Sequence, residues 1–183
     1  MDSERAEQRF EEMYLAHQRH VLAYFLRRTD AASARDGASE TFLTAWRRIE
    51  DVPAGELALP WLYGVSRRVL ANQRRSRDRH TALGRKLAHT PPSEEPSPEV
   101  VVLRRAEDKE MLDAVVRLRP EDQEVLRLAV WEELPHAQIG EVLGTSAHAI
   151  TQRMHRITKQ LVRELQRPTP IGLRRSVRGG DPR

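Results

Sequence analysis

The chain of 183 residues contains no cysteine. That excludes disulfides, thiol catalysis and cysteine-ligated metal sites, and it fits a reducing cytoplasm. Long apolar runs are absent too. No stretch approaches the ~20 apolar residues a membrane span needs, and the polar start "MDSERAEQRFEEMY" lacks the apolar core of a secretory signal. A cytoplasmic location without membrane insertion is therefore expected. The seven histidines show no metal-ligand spacing and no glycine-rich phosphate loop is present. No catalytic residue, metal or cofactor is assigned, and an enzyme is not expected. Apolar material is thin: 32% of residues are charged and the mean hydropathy is −0.66. Small helical units with thin cores follow from this. Neither an internal repeat nor a strand pattern stands out.

Charge is nearly balanced, with 31 basic and 27 acidic residues and a net charge of +4. The sum matters less than the clustering, because nucleic acid responds to local field. Phe10, Met13, Tyr14, His17, Val21, Tyr24, Phe25 and Arg28 recur at helical spacing and predict a helix over 3–28, with Leu15, Leu22 and Leu26 as a second buried face. Ala38, Phe42, Ala45, Trp46 and Ile49 mark a second helix, for which Ser33 fits the N-cap. "EDVPAGELALP", 50–60, reads as a loop, and Trp61, Leu62, Val65 and Val69 open a third helix. Residues 88–99 hold four of the eleven prolines, three glutamates and no lysine or arginine, the composition of a linker. Beyond it, Leu103, Met111, Ala114, Val115 and Leu118 precede a break at Pro120, and Val125, Leu126, Ala129 and Val130 continue the helical pattern. The fold class expected is all-α: a helical domain over 1–86, a flexible Pro/Glu-rich linker over 87–100, a second helical domain over 101–167, and a disordered basic tail over 168–183.

The segment "QIGEVLGTSAHAITQRMHR", 138–156, carries the strongest pattern. Ile139, Val142 and Leu143 line a short helix opening near Pro135. Gly140 lies inside it, where glycine costs about 1 kcal/mol against alanine, so a close helix crossing is expected there. Gly144 fits a left-handed helix end, and Ser146 fits the next N-cap. Ile150, Met154, Ile157 and Leu161 then form a buried stripe. Helix, short glycine turn, helix is the pattern of a helix-turn-helix, whose second helix enters the DNA major groove. His148, Thr151, Gln152, Arg153, His155, Arg156 and Lys159 are the candidate DNA contacts. Gln152 has the fork for adenine, and arginine suits guanine or phosphate. The alternative is an ordinary αα-hairpin with a solvated polar face; cap, turn and outward donors together favour DNA.

A second basic run, "SRRVLANQRRSRDRH" at 66–80, holds six arginines and follows Trp61 and Tyr63. Cations beside aromatics suit single-stranded DNA, with arginines on phosphates and bases on rings. Taken alone, the run fits equally well a solvated helix end whose arginines complement the macrodipole. Trp61 suits the core better than a stacking platform.

In register, these segments resemble the extracytoplasmic-function (ECF) group of the bacterial sigma-70 family of RNA polymerase sigma factors. "FEEMYLAHQRHVLAYFLRR" resembles the start of region two, and "ARDGASETFLTAWRRI" its polymerase-binding helix. "PWLYGVSRRVLANQRR" resembles the helix that opens and holds the −10 element. "LRPEDQEVLRLAVWEELPHAQIGEVLGTSAHAITQRMHRITKQL" resembles region four, which reads the −35 element. The likeness spans roughly residues 8–165. Gly37 departs from the usual leucine, Arg35 from a frequent glutamate and Ser39 from a common glutamine, while Asp36 keeps its acidic position. Thr151 departs from the usual lysine or arginine, so base preference does not carry over.

The resemblance implies a non-catalytic partner of core RNA polymerase, contacting its β and β′ subunits, with promoter DNA as the second partner and room for an anti-sigma factor. It implies polymerase binding through Asp36, Glu40, Thr41, Trp46 and Arg47. Of these, Asp36 and Arg47 are expected to be exposed, and Trp46 to lie in the core with Phe42. Contacts at the −10 element fall on Trp61, Tyr63, Arg67, Arg68, Asn72, Arg74, Arg75 and Arg77, with loop 50–60 taking a flipped base. The linker carboxylates Glu94, Glu95 and Glu99 would run toward the catalytic cleft, or serve only as a solvated tether. A stand-alone helix-turn-helix regulator is the alternative; the second basic, aromatic unit and the lack of a dimer seam speak against it.

Overall fold

The computed structural model describes residues 3–85 and 106–166, with side chains over 3–79 and 110–166. The expected linker at 87–100 and the tail at 168–183 lie outside the described residues. Among those residues there are seven α-helices, two 3-10 turns and no strand: α1 (Ser3–Leu26), α2 (Ala31–Arg47), turns at Ile49–Asp51 and Gly55–Leu57, α3 (Ala58–Arg85), α4 (Ala106–Val116), α5 (Pro120–Val130), α6 (His136–Leu143) and α7 (Ala147–Leu165). None is long and apolar enough to cross a membrane.

The first three helices form one unit because each presents apolar residues to a shared interior. Val21, Tyr24 and Phe25 of α1 meet Ala34, Phe42 and Ala45 of α2 and Leu62, Val65 and Val69 of α3, all buried. Fully burying such large side chains stabilises by about 1.5–3 kcal/mol each. Helix α2 starts earlier than the sequence suggests. Asp30, not Ser33, is its N-cap, accepting from the Ser33 amide at 3.0 Å; the aspartate stands three positions ahead of the serine and takes the cap first. The second buried face expected on α1 is only partial, for Leu22 and Leu26 are half-buried and Leu15 is exposed.

In the second unit Pro120 opens α5, where its missing N–H has no helical partner to lose. Val125 and Leu128 of α5, Ile139 and Val142 of α6, and Ile150 and Ile157 of α7 are buried together. Helix α5 closes with Glu132 N–H donated to Arg127 O at 3.3 Å and Leu134 N–H to Leu128 O at 3.1 Å. Between them Glu133 adopts a left-handed backbone, φ 53°, a conformation that costs a non-glycine residue on the order of 1 kcal/mol or more.

That turn directs Glu132 back toward the first unit, and the two units pack into one continuous apolar cluster. At its edge lies a polar network joining residues about a hundred positions apart. Arg28 donates to Glu124 through Nε at 3.2 Å and Nη2 at 3.1 Å, and to Glu132 through Nη1 at 3.0 Å. Arg27 also donates to Glu132. The side chains of Arg28 and Glu132 are each only 1% exposed. Tyr24 donates to Glu124 at 3.1 Å and Tyr63 to Glu132 at 3.4 Å. Burial lifts both phenols above their ordinary range; the arginines oppose this and the carboxylates reinforce it. Both tyrosines therefore stay protonated and act as donors. Burial also works against the charge of Arg28, but Tyr24, Glu124 and Glu132 outweigh it and hold the guanidinium above its ordinary value.

Candidate nucleic-acid interface

Helix α7 is built to present one polar face. The Ser146 hydroxyl accepts the Ala149 amide at 3.1 Å and caps it, and Gly144, with φ 67° and ψ 41°, ends α6 just before. Only glycine takes that backbone without a Cβ penalty. Ile150 and Ile157 are buried, with Met154 and Leu161 half-buried beside them. The turn folds tightly onto α6: a Cβ added at Gly140 would lie 2.6 Å from the Thr145 carbonyl oxygen. The glycine thus makes room for the turn and the start of α7 rather than for a general helix crossing.

The opposite face carries His148, Thr151, Gln152, His155, Arg156 and Lys159, all exposed. Thr151 donates to Ala147 O at 3.0 Å and meets His136 Nδ1, on the first turn of α6, at 2.9 Å. Arg153 differs from its neighbours. It is half-buried, and its Nε pairs with Asp122 Oδ1 of α5 at 3.3 Å. Asp122, itself buried, also takes Arg119 Nε at 3.2 Å. Arg153 is therefore a tie between α5 and α7, not a projecting DNA contact.

On α3, Trp61, Arg68, Asn72 and Arg75 share one side at helical spacing. Trp61 is half-buried, with the Arg48 guanidinium 5.9 Å from its ring centre. Arg67, Arg68, Asn72, Arg74, Arg75 and Arg77 are exposed. Arg75 donates to Asn72. Tyr63 corrects the expectation: it is 1% exposed, stacked on Tyr24 at 5.3 Å between ring centres, and is a core residue. The loop ahead of α3 and the helix form a cleft of about 120 Å³ lined by Pro53, Leu57, Trp61 and Arg68 among others, with Glu141 of α6 also in its lining.

On α2, Asp36 and Arg47 are exposed as expected, and Glu40 is exposed beside them. Thr41 is not, being fully buried; its hydroxyl donates to Gly37 O at 2.8 Å and lies 3.4 Å from Ser66 Oγ, forming a seam with α3. Phe42 is buried, whereas Trp46, expected beside it in the core, is 38% exposed. Trp46 packs edge-on against Phe10 at 5.3 Å, and Tyr14 against Phe42 at 4.8 Å. Leu15 and Leu43 are exposed as well. Sequence reasoning did not single out Leu43, although an exposed leucine beside Trp46 is a feature that helical spacing can flag.

Two family models match the chain: "Sigma-70 region 2" over residues 13–80 and "Sigma-70, region 4" over residues 108–161. The ECF RNA polymerase sigma factor SigL of Mycobacterium tuberculosis is 32% identical over 160 residues, 84% of this chain and 87% of that one. The RNA polymerase sigma factor NccH of Alcaligenes xylosoxydans xylosoxydans is 30% identical over 134 residues, 72% of each chain. Among solved structures, the sigma factor RpoE from Bartonella quintana, in complex with the anti-sigma factor NepR, shares the fold with a TM-score of 0.61 at 17% identity, over 87% of this chain and 98% of that one. With both halves matched in order and the two-faced α7 lying inside the second, the chain belongs to the ECF group of the sigma-70 family of RNA polymerase sigma factors.

Proposed function

We propose that the chain binds core RNA polymerase through its β and β′ subunits, carries it to promoters, reads a −35 element with α7, and holds and helps melt a −10 element with α3. It acts in the cytoplasm as an initiation factor and performs no catalysis of its own. The observation that carries this reading is the exposed face of α7, where His148, Gln152, His155, Arg156 and Lys159 project from a helix fixed by Ser146 and the Gly144 turn. Gln152 and His155 lie one turn apart and face bases; Arg156 and Lys159 lie further along and face phosphates. The exposed arginines of α3 serve the −10 strand, and the loop ahead of α3 receives a flipped base. Asp36, Glu40, Arg47 and the exposed indole of Trp46 form the polymerase contact. Residues 87–100 act as the tether. An anti-sigma factor is a further partner in this reading, of the kind the RpoE relative has.

A gel shift on promoter DNA with and without core polymerase tests the proposal. Specific binding that depends on core polymerase is expected. Tight autonomous binding to a palindrome would instead favour a stand-alone helix-turn-helix regulator.

A further inference from the structure

We propose that Thr151 reads the C5-methyl group of a thymine in the −35 element through its own methyl, and that His136 is the positioning residue that turns it there. This deepens the reading of α7 as the −35 helix and rests on it.

Thr151 opens the second turn of α7, near the end of the helix that meets base edges when such a helix lies in the major groove. It is exposed, between His148 one turn before it and His155 one turn after. Its two Cβ substituents differ in what they have left to offer. The hydroxyl carries a single proton and donates it to Ala147 O at 3.0 Å. His136 Nδ1 stands 2.9 Å from the same oxygen. With the hydroxyl proton already placed, the proton of this second bond comes from Nδ1 and the hydroxyl accepts it. No proton is then left for the N7, O6 and O4 acceptors that bases present in the major groove. The methyl has no such tie. On the major-groove edge its apolar counterpart is the thymine methyl, a contact that threonine is suited to make.

The bond from His136 decides which substituent faces the groove. A threonine in a helix divides between two χ1 rotamers, because its hydroxyl can reach more than one carbonyl of the preceding turn. Holding Ala147 O and His136 Nδ1 together fixes Oγ1, and with it the methyl. His136 is well placed for this. It is half-buried on the first turn of α6, 15 positions from Thr151. The Gly144 turn and the Ser146 cap keep the two helices in register. A side chain of α6 thus sets the base preference of a side chain of α7 without touching the base itself.

The test uses holoenzyme reconstituted from the full chain and core polymerase, on a promoter duplex whose −35 sequence that holoenzyme has selected. Each thymine of the element, on either strand, is replaced in turn by uracil, which lacks only the methyl. One position should weaken binding about fourfold, the effect of one methyl left in water. Thr151→Ser keeps the hydroxyl and removes the methyl, and should bind thymine and uracil duplexes alike at that position. His136→Ala should reduce the thymine preference by about half as the two rotamers even out. His136→Asn, whose amide nitrogen can donate in place of Nδ1, should restore it. In a Thr151→Ser background His136→Ala should change nothing, which separates positioning from a merely structural role. Uracil tolerated at every position, or a thymine preference that survives in Thr151→Ser, would overturn the methyl contact. An unchanged preference in His136→Ala would overturn the positioning role. Circular dichroism follows helix content; if His136→Ala loses it, His136→Asn compared with His136→Gln decides by the same preference. A holoenzyme that selects no −35 sequence at all would instead sink the promoter reading, and this inference with it.

Discussion

Arg77, in the C-terminal half of α3, donates to the carboxylate of Asp30, the N-cap of α2, at 2.9 Å. The same guanidinium reaches Thr29 Oγ1 at 3.3 Å and the Ser33 hydroxyl. One arginine of the basic run is therefore occupied in joining two helices, while Arg74 beside it has no such partner role among the described contacts.

Asp30→Ala should cost about 1 kcal/mol, the usual penalty for a lost cap. Arg77→Ala should cost less, because both side chains of that pair are more than half exposed and exposed pairs contribute ~0–1 kcal/mol. The Ser33 amide, then its hydroxyl, then Arg77 hold the Asp30 carboxyl well below the usual carboxylate range. A depressed folded-state pKa stabilises above the unfolded value. The wild-type advantage over Asp30→Ala should thus be constant above about pH 4 and shrink as the pH falls further. Urea melts at a series of pH values check both statements.

Gly37→Leu, which restores the residue usual at this position in the family, should destabilise this chain. A Cβ there would lie 2.4 Å from Phe25 Cε1, and overpacking of this kind costs about 1–3 kcal/mol. The ring of Phe25 occupies the space of the missing side chain. Combining Gly37→Leu with Phe25→Leu should recover part of the loss, with a coupling of about 0.5–3 kcal/mol. Additive losses in that double-mutant cycle would refute the exchange of volume.

Arg153→Ala should lower stability and leave base preference at −35 intact, because its guanidinium serves buried Asp122. Gln152→Ala and His155→Ala should do the reverse, losing ~1–3 kcal/mol of affinity at the cognate sequence and relaxing discrimination there. A promoter panel bound by the holoenzyme, alongside thermal melts of the free chain, separates the two classes.

Trp46→Ala should weaken polymerase binding more than it weakens the fold. The indole is 38% exposed and meets the Phe10 ring at a steep angle, whereas Phe42→Ala removes a buried ring and should cost about 3–5 kcal/mol. Pull-down with core polymerase and a melt on each variant give the comparison; equal thermal losses would return Trp46 to the core.

The helix-turn-helix was legible because its signals are local. Gly144, Ser146 and the stripe of Ile150 and Ile157 all lie within a dozen or so positions and each has a single mechanical meaning. The residues misread were those whose surroundings are set by distant partners. Tyr63 sits in an aromatic, basic stretch that suits nucleic acid, but its stacking partner is Tyr24 of another helix. Thr41 lies between exposed Glu40 and buried Phe42, and its hydroxyl is satisfied by its own helix, which makes full burial cheap. Arg153 alternates with exposed neighbours on α7, and nothing nearby announces Asp122. The network at Arg28 is the extreme case: its partners stand 96 and 104 positions away, beyond any periodicity a helix can display.

The left-handed turn at Glu133, which aims Glu132 at the first unit, lies late in the chain, and this orders events during synthesis. Helices α1 to α3 are complete once residue 85 has emerged, while α6 ends only at residue 143. At ~5–20 residues per second, the first unit stands without its counterpart for on the order of several seconds on the ribosome. During that interval the surface around Trp61 and Arg68 has no α6 to cover it, so each newly made molecule passes through an uncovered stage before it can first close.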